Sequence, residues 1–520
     1  LSARANLILR KANVITLDGA RPRAGAVAVG GGRILAVGTD SDMEPVRGPR
    51  TEVIDCRGGT VLPGFNDAHC HPLALAASLL GVDCGPSAVK SIGDIEARIR
   101  EQAARVPPGA WIRGSGYNEF FLAEKRHPHR RDLDRAAPDH PVKLAHRTGH
   151  ACVLNSLALR LLGISSETPE PEGGLIDRDL DSGRPSGLLF EMNDYVDRLV
   201  PPLSDEELAA GVRLANEQFL SQGITSVQDA SWGNSLRRWQ TLQGLKEGRE
   251  LLPRVSMMVG ADDLAEFQAA VGGEAGRAGA ALRPGAVKIV VQSTTGRLCP
   301  AQEELNALVY RLHSGGHQMA IHADERDSVE AALIALEQAL SGKPGSGHRH
   351  RIEHCSVCPP PLNQRLKQVN AVVVTQPAFI YYSGERYLAT VAAEDLEWLY
   401  PLGSLCSAGL TVAGSSDAPV VPTSPLDGIH AAVTRTAETG QRLLPREGIS
   451  AREALRLYTL NGAFASFEED VKGSITAGRL ADLVILNGDP TAVAPEAIRD
   501  IEVAMTIIDG EIVWRREKDR

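Results

Sequence analysis

Eight short apolar runs, most of them followed by an amphipathic helical stretch, constrain this chain more than any other feature of its sequence. They are VLPGFNDAHCH, GITSVQDA, PRVSMMV, AVKIVV, QMAIHAD, HRIEHC, AVVVTQP and LTVAGSSD. Apolar runs alternating with helical periodicity are the grammar of a parallel sheet. Eight is the number that closes a (β/α)8 barrel, so the sequence predicts an α/β fold of the TIM-barrel type. Helical stretches such as SDEELAAGVRLANEQFLSQG and DSVEAALIALEQALSG fall between the runs, and Ser204 with Glu207 predicts a capping box on the first.

A barrel does not consume 520 residues. Single cores stop growing near roughly 250–300 residues, so further modules are expected. Residues 1–60 and 471–520 alternate β-rich runs with glycine turns, as in AVAVGGGRILAVG and EVAMTIIDGEIVWRRE. These two ends are expected to pair into one small β-sandwich that encloses barrel residues 61–470. The interval after the first run is too long for a βα connection, and residues 75–205 are expected to form an inserted subdomain that covers the substrate.

Charge and cysteine usage remove several function classes. With 55 basic against 65 acidic residues the net charge is −10, which gives no basic excess for nucleic acid or an anionic membrane. No apolar run approaches the roughly 18–20 residues of a membrane span, and the opening residues lack the layout of a signal peptide, so a cytoplasmic protein is expected. Eight cysteines are too sparse for a disulfide framework. Cys355-Ser356-Val357-Cys358 has no second C-x-x-C and no thioredoxin context, and reads as packing. The glycines at 30–32 open no helix, so no nucleotide fingerprint is present.

The residues able to bind metal gather at the ends of the barrel runs, where barrel enzymes place their chemistry. Run one ends in His69-Cys70-His71. Residues two apart on a strand face the same side, so His69 and His71 can grip one ion while Cys70 faces away. Lys288 lies in run four, His322 and His354 end runs five and six, and Asp417 ends run eight. A strand-end histidine taken alone is more often a hydrogen-bonded residue than a ligand. Four histidines and an aspartate closing strands of one barrel are hard to obtain from packing alone, and predict a metal site.

The motifs VLPGFNDAHCHP, HRTGHACVLNS, GLLFE, AIHADE, HRIEHC, GSSDAPV and GSITAGRLADLVIL, in this order over nearly the whole chain, resemble the amidohydrolase superfamily and more closely its YtcJ-like (amidohydrolase 3) branch. The resemblance implies two divalent ions, most often zinc. His69 and His71 would hold one and His322 and His354 the other, with a carboxylated Lys288 bridging both and Asp417 beside the first. A carbamate reverses the charge of the lysine and offers two oxygens to the pair. A metal-bridging hydroxide would attack the carbonyl, with Asp417 as general base and then acid. Related enzymes often place a further histidine over the substrate carbonyl, which makes His150 the candidate oxyanion donor; the competing reading is one of several histidines on a polar insert. Glu191, Trp111, Tyr117 and Tyr381 are further substrate-pocket candidates, each with packing or exposure as the competing reading.

Gln292 and Ser293 stand where related sequences usually read Asp-Gly, and Asp324-Glu325 stands where an Ile-Gly-Asp-like turn is common. These departures put transfer of any relative's substrate in doubt. The expected function is hydrolysis of a carbon–nitrogen bond other than a peptide bond, by an amidase or deacylase of an N-substituted amide or formamide. A mononuclear deaminase or a hydrolase of cyclic substrates is the alternative on the same scaffold, and an inactive barrel acting as a binding protein is the alternative from another class. The expected partners are a small amide-type substrate and a second copy in a homodimer.

Overall fold

The computed structural model describes residues 4–171, 173–271, 277–293, 296–345 and 347–517. All eight apolar runs form strands of one parallel sheet: β1 (Phe65–Cys70), β2 (Ile224–Asp229), β3 (Arg254–Gly260), β4 (Leu282–Val290), β5 (Met319–Ala323), β6 (Arg351–His354), β7 (Val372–Thr375) and β8 (Thr411–Gly414). Each strand pairs with the next in chain order. The seam between β8 and β1 closes just beyond the strand ends, where the Asp417 N–H donates to the His69 carbonyl (2.8 Å) and the His71 N–H to the Ala418 carbonyl (2.9 Å). The residues expected to carry chemistry therefore also shut the barrel.

Helices wrap the outside. After β1 comes α1 (Pro72–Leu80), with Pro72 at its first turn where a missing N–H costs nothing. It packs against α2 (Asp205–Ser221), and Leu73, Leu75 and Ala76 meet Val212, Ala215 and Phe219 in the main apolar core. The expected capping box is present: Ser204 Oγ accepts from the Glu207 N–H (3.2 Å), and the Glu207 carboxylate accepts from the Ser204 N–H (2.8 Å). After β5, α3 (Arg326–Gly342) lays small residues (Ala331, Ala332, Ala335, Ala339) toward that core, which lets helix and strand approach closely.

Strands from both ends of the chain share a six-stranded sheet, in which Thr60–Pro63 pairs antiparallel with Leu483–Leu486. A four-stranded sheet of Leu7–Arg10, Ala26–Gly30, Arg33–Gly38 and Glu52–Asp55 packs on it through Leu7, Leu9, Val27, Val61, Leu483 and Ile507. Arg254 at the start of β3 ties barrel to sandwich by donating twice to the Asp482 carboxylate (2.6 and 3.1 Å).

Between α1 and α2 the chain forms a separate mixed sheet of Val82–Asp83, Ile112–Tyr117, Val142–His146, Ala151–Leu154, Leu175–Arg178 and Pro185–Phe190, with its own core of Cys84, Ile95, Ile99, Leu133 and Leu144. Among the described residues no helix is long and apolar enough to cross a membrane.

A chain of buried hydrogen bonds lies at the start of β6. The Met319 N–H donates to His350 Nδ1 (3.2 Å), His350 Nε2 lies 2.9 Å from His313 Nδ1, and His313 Nε2 lies 2.8 Å from the Lys343 carbonyl. Every nitrogen of the two rings is committed, and burial, followed by the neighbouring His348 and His313, pushes His350 down to about 2. Below the ordinary value of 6.5 the unfolded chain takes up a proton that the folded chain refuses, so this group's contribution is present above pH 6.5 and lost as pH falls. The expected slope is about 1.4 kcal/mol per pH unit. His350→Asn keeps an acceptor for Met319, and urea unfolding between pH 6.5 and 4.5 should show a pH slope shallower by about one proton than the parent.

Candidate metal centre

His69, on β1, is 1% exposed and directs its ring inward, while Cys70 turns outward into the main core as strand alternation requires. The Nδ1–H of His69 donates to the Glu353 carboxylate, and its Nε2 lies 3.5 Å from Asp417 Oδ1. His71, one residue past the strand, places Nδ1 3.0 Å from Ser231 Oγ and Nε2 3.0 Å from the same Asp417 oxygen. The ligand atoms of His69, His71 and Asp417 all lie within 4.8 Å of one another. The ring of His354 stands 4.8 Å from that of His69 and 4.3 Å from that of His322. Its Nδ1–H donates to Gln376 Oε1 (3.0 Å), which leaves Nε2 buried and without a partner.

Lys288 reaches the same interior from β4. It is 4% exposed, and its Nζ has no hydrogen-bond partner. Six residues from five strands thus converge, and on His69, His71 and His354 one nitrogen is engaged by an outer group while the other is left for the centre. That is how metal-binding histidines are oriented.

Backbone geometry contributes. His354 (φ 69°), Cys355 (φ 50°) and Asp417 (φ 57°) all lie in the left-handed region that non-glycine residues avoid. Such strain costs on the order of 1–3 kcal/mol per residue and collects at functional sites. Here it turns the chain off β6 and beyond β8, so that Glu353 and His354, neighbours in sequence, both reach His69.

Electrostatics favour the ligand forms. Burial, reinforced by the charge of Lys288, pushes His69 well below its ordinary value, and burial and His354 do the same for His322. Burial opposes the Asp417 carboxylate, yet the His71 hydrogen bond and the charges of His354, His71 and Lys288 outweigh it and hold the group below the usual range. For Lys288, burial dominates over the attraction of Glu353 and Asp417 and lowers it to about 8, so the neutral amine is accessible near neutral pH.

The insert supplies two more of the expected residues. His150 Nδ1–H donates to Glu191 Oε2 (2.9 Å), and its ring lies 6.0 Å from that of His322. Burial works against a charged His150, but the Glu191 hydrogen bond and charge prevail and raise it to about 9.

The remaining pocket candidates do not join the cluster. Tyr117 is fully buried in the core of the insert, with its hydroxyl 3.0 Å from His127 Nδ1. Trp111 packs against Cys152, Leu159 and Leu189. Tyr381 spends its hydroxyl on Arg499, whose guanidinium also covers its ring, and packs against Tyr382 and His430. Their apolar bodies are used for packing, and the hydroxyls of Tyr117 and Tyr381 are already taken.

Sequence reasoning missed the outer layer: Glu353, Gln376 and Ser231. Glu353 is fully buried and held by Arg351 through two hydrogen bonds (2.7 and 2.9 Å), while Arg351 also donates to Gln228 and the Ala68 carbonyl. A signal existed, since a charged pair inside the apolar run HRIEHC must be neutralised somewhere.

A sequence profile of the amidohydrolase family matches residues 52–514. The chain belongs to the amidohydrolase family. Membership makes it a hydrolase of carbon–nitrogen bonds, and the resemblance to the YtcJ-like branch holds. This amidohydrolase is 31% identical to an N-substituted formamide deformylase of Arthrobacter pascens, with 98% of each chain covered. It is 29% identical to the putative amidohydrolase YtcJ of Bacillus subtilis (strain 168), covering 95% of this chain and 96% of the other. Among solved structures, an uncharacterized metal-dependent hydrolase from Pyrococcus furiosus superposes with a TM-score of 0.72 at 26% identity, over 93% of this chain and 99% of that one.

Proposed function

We propose that this amidohydrolase cleaves an N-substituted amide or formamide at a centre of two zinc ions bridged by a carboxylated Lys288. The observation that carries the reading is the unpartnered Lys288 Nζ, buried among the inward nitrogens of the histidines and the Asp417 carboxylate. An ammonium left there would be an uncompensated buried charge beside the ions. A neutral amine that adds carbon dioxide and releases a proton becomes an anionic carbamate, and the lowered proton affinity of Lys288 favours that amine. The donor set fits: four histidines, one carboxylate and one bridging oxyanion suit divalent zinc. His69 and His71 would hold one ion and His322 and His354 the other. The 31% identity over nearly both full chains to a protein named a formamide deformylase supports the substrate class.

Bound metal supplies a Lewis acid for the carbonyl and water of lowered pKa. The protein's own groups then handle the proton. Asp417 accepts it at Oδ1, between the Nε2 atoms of His71 and His69, and passes it to the amide nitrogen, which leaves poorly unless protonated. His150, tied through Nδ1 to Glu191, offers Nε2–H to the carbonyl oxygen as charge builds there. Asp417→Asn should therefore lower kcat about 100- to 10,000-fold with a far smaller change in KM, measured as amine and formate released from an N-substituted formamide. An Asp417→Asn variant with parental kcat would rule out the proton-transfer role.

The His69, His71 and Asp417 ligand atoms already approach one another closely, and this favours a second reading with a single ion on the same scaffold. Metal counting separates the two.

A further inference from the structure

We propose that Gln292 and Glu191 form a brace across the barrel mouth that fixes His150 beside the metal ligands, so that Gln292 acts as a positioning residue for the reaction. The inference rests on reading the histidine cluster as the reacting centre.

Gln292 lies just past β4. Its backbone is fixed by a reciprocal pair of hydrogen bonds with Cys299 (2.9 Å each), so the side chain leaves from a set point. Gln292 Nε2 donates to Glu191 Oε2 (2.9 Å), the same oxygen that accepts from His150 Nδ1 (2.9 Å). One carboxylate oxygen thus joins a barrel residue to an insert residue. Glu191 is in turn tied to the backbone of the segment it orients, because its N–H donates to the His150 carbonyl (2.7 Å). It adopts φ 52°, and its side chain is only 4% exposed. A strained, buried glutamate is expensive to maintain, and its contacts serve the placement of one ring.

An aspartate at 292 would set a carboxylate against Glu191 and break the brace by repulsion; the amide N–H donor completes it. A second anchor lies on the opposite side of the same turn. Arg147 donates to the Val420 carbonyl beyond β8 (2.8 Å) and to the Tyr382 carbonyl beyond β7 (3.2 Å). The turn carrying His150 is pinned from both sides. With Nδ1 committed to Glu191, Nε2 is the remaining polar atom of the His150 ring, and the ring stands beside His322.

The test uses the full chain loaded with zinc, with Gln292→Ala, Glu191→Ala, the double variant, and Glu191→Gln. Hydrogen–deuterium exchange of residues 146–150 reads the brace without reference to activity, and both single variants should exchange faster there by about tenfold while retaining the parental metal content. Steady-state kinetics on an N-substituted formamide read its consequence. Glu191→Ala should lower kcat about 100-fold, Gln292→Ala about tenfold, and KM should move less than either. Gln292→Ala should cost nothing further in the Glu191→Ala background, and Glu191→Gln, which keeps an acceptor, should recover part of the loss. Unchanged exchange in Gln292→Ala, or additive losses in the double variant, would overturn the brace. A parental chain that hydrolyses no amide while exchange rises as expected would overturn the functional reading and leave the brace standing.

Discussion

Lys288→Ala should leave the purified chain with one metal equivalent or less and lower kcat/KM by about 100- to 1000-fold. In the proposed centre this lysine is the one ligand shared by both ions. Its removal takes away a bridging anion and leaves the second ion with two histidines and water. The fold should survive, since Nζ makes no hydrogen bond whose loss would strand a partner. The space left by the side chain allows a further check. A short carboxylic acid such as acetate or propionate can occupy it and restore an anionic bridge, so metal content and activity should both recover in part with its concentration. Elemental analysis alongside kinetics decides the matter, and unchanged stoichiometry in Lys288→Ala would remove the bridging role.

Glu353→Gln should cost about 3–5 kcal/mol of stability and weaken metal binding about 10- to 100-fold. Two separate jobs fail together. Arg351, itself fully buried, loses the carboxylate that compensates its charge, and His69 loses the anionic acceptor that orients its ring. The two losses can be pulled apart. In Glu353→Leu combined with Arg351→Met no buried charge is left alone, so most of the stability should return. The metal affinity should not, because His69 still lacks its acceptor. Urea unfolding gives the first quantity, and a zinc titration against a competing chelator gives the second. A double variant that recovers both would show that Glu353 serves stability only.

The division between what could and could not be read from the sequence follows from range. Each barrel strand announces itself locally through a short apolar run, and the ligands end those runs, so β1 to β8 and the six inward residues were legible without knowing how the chain closes. The layer behind them depends on contacts between distant segments. Glu353 supports His69 across 284 residues and Ser231 meets His71 across 160, and no local pattern encodes either. Trp111, Tyr117 and Tyr381 show the converse. Aromatic residues near an expected pocket look available until the fold shows that the insert buries Tyr117 in a core of its own and that Arg499 covers Tyr381. His150, by contrast, lies beside His322 with Glu191 hydrogen-bonded to its ring, and the sequence hinted at that placement only through the polar turn HRTGH.

Zinc reconstitution of the metal-free chain tests the central claim most directly. Purified protein is stripped with a chelator, titrated with zinc, and assayed at each step for release of amine and formate from an N-substituted formamide. Activity should vanish on stripping and return in proportion to zinc, reaching its plateau at two equivalents per chain. Full hydrolytic activity in protein holding less than one equivalent of transition metal would contradict the account.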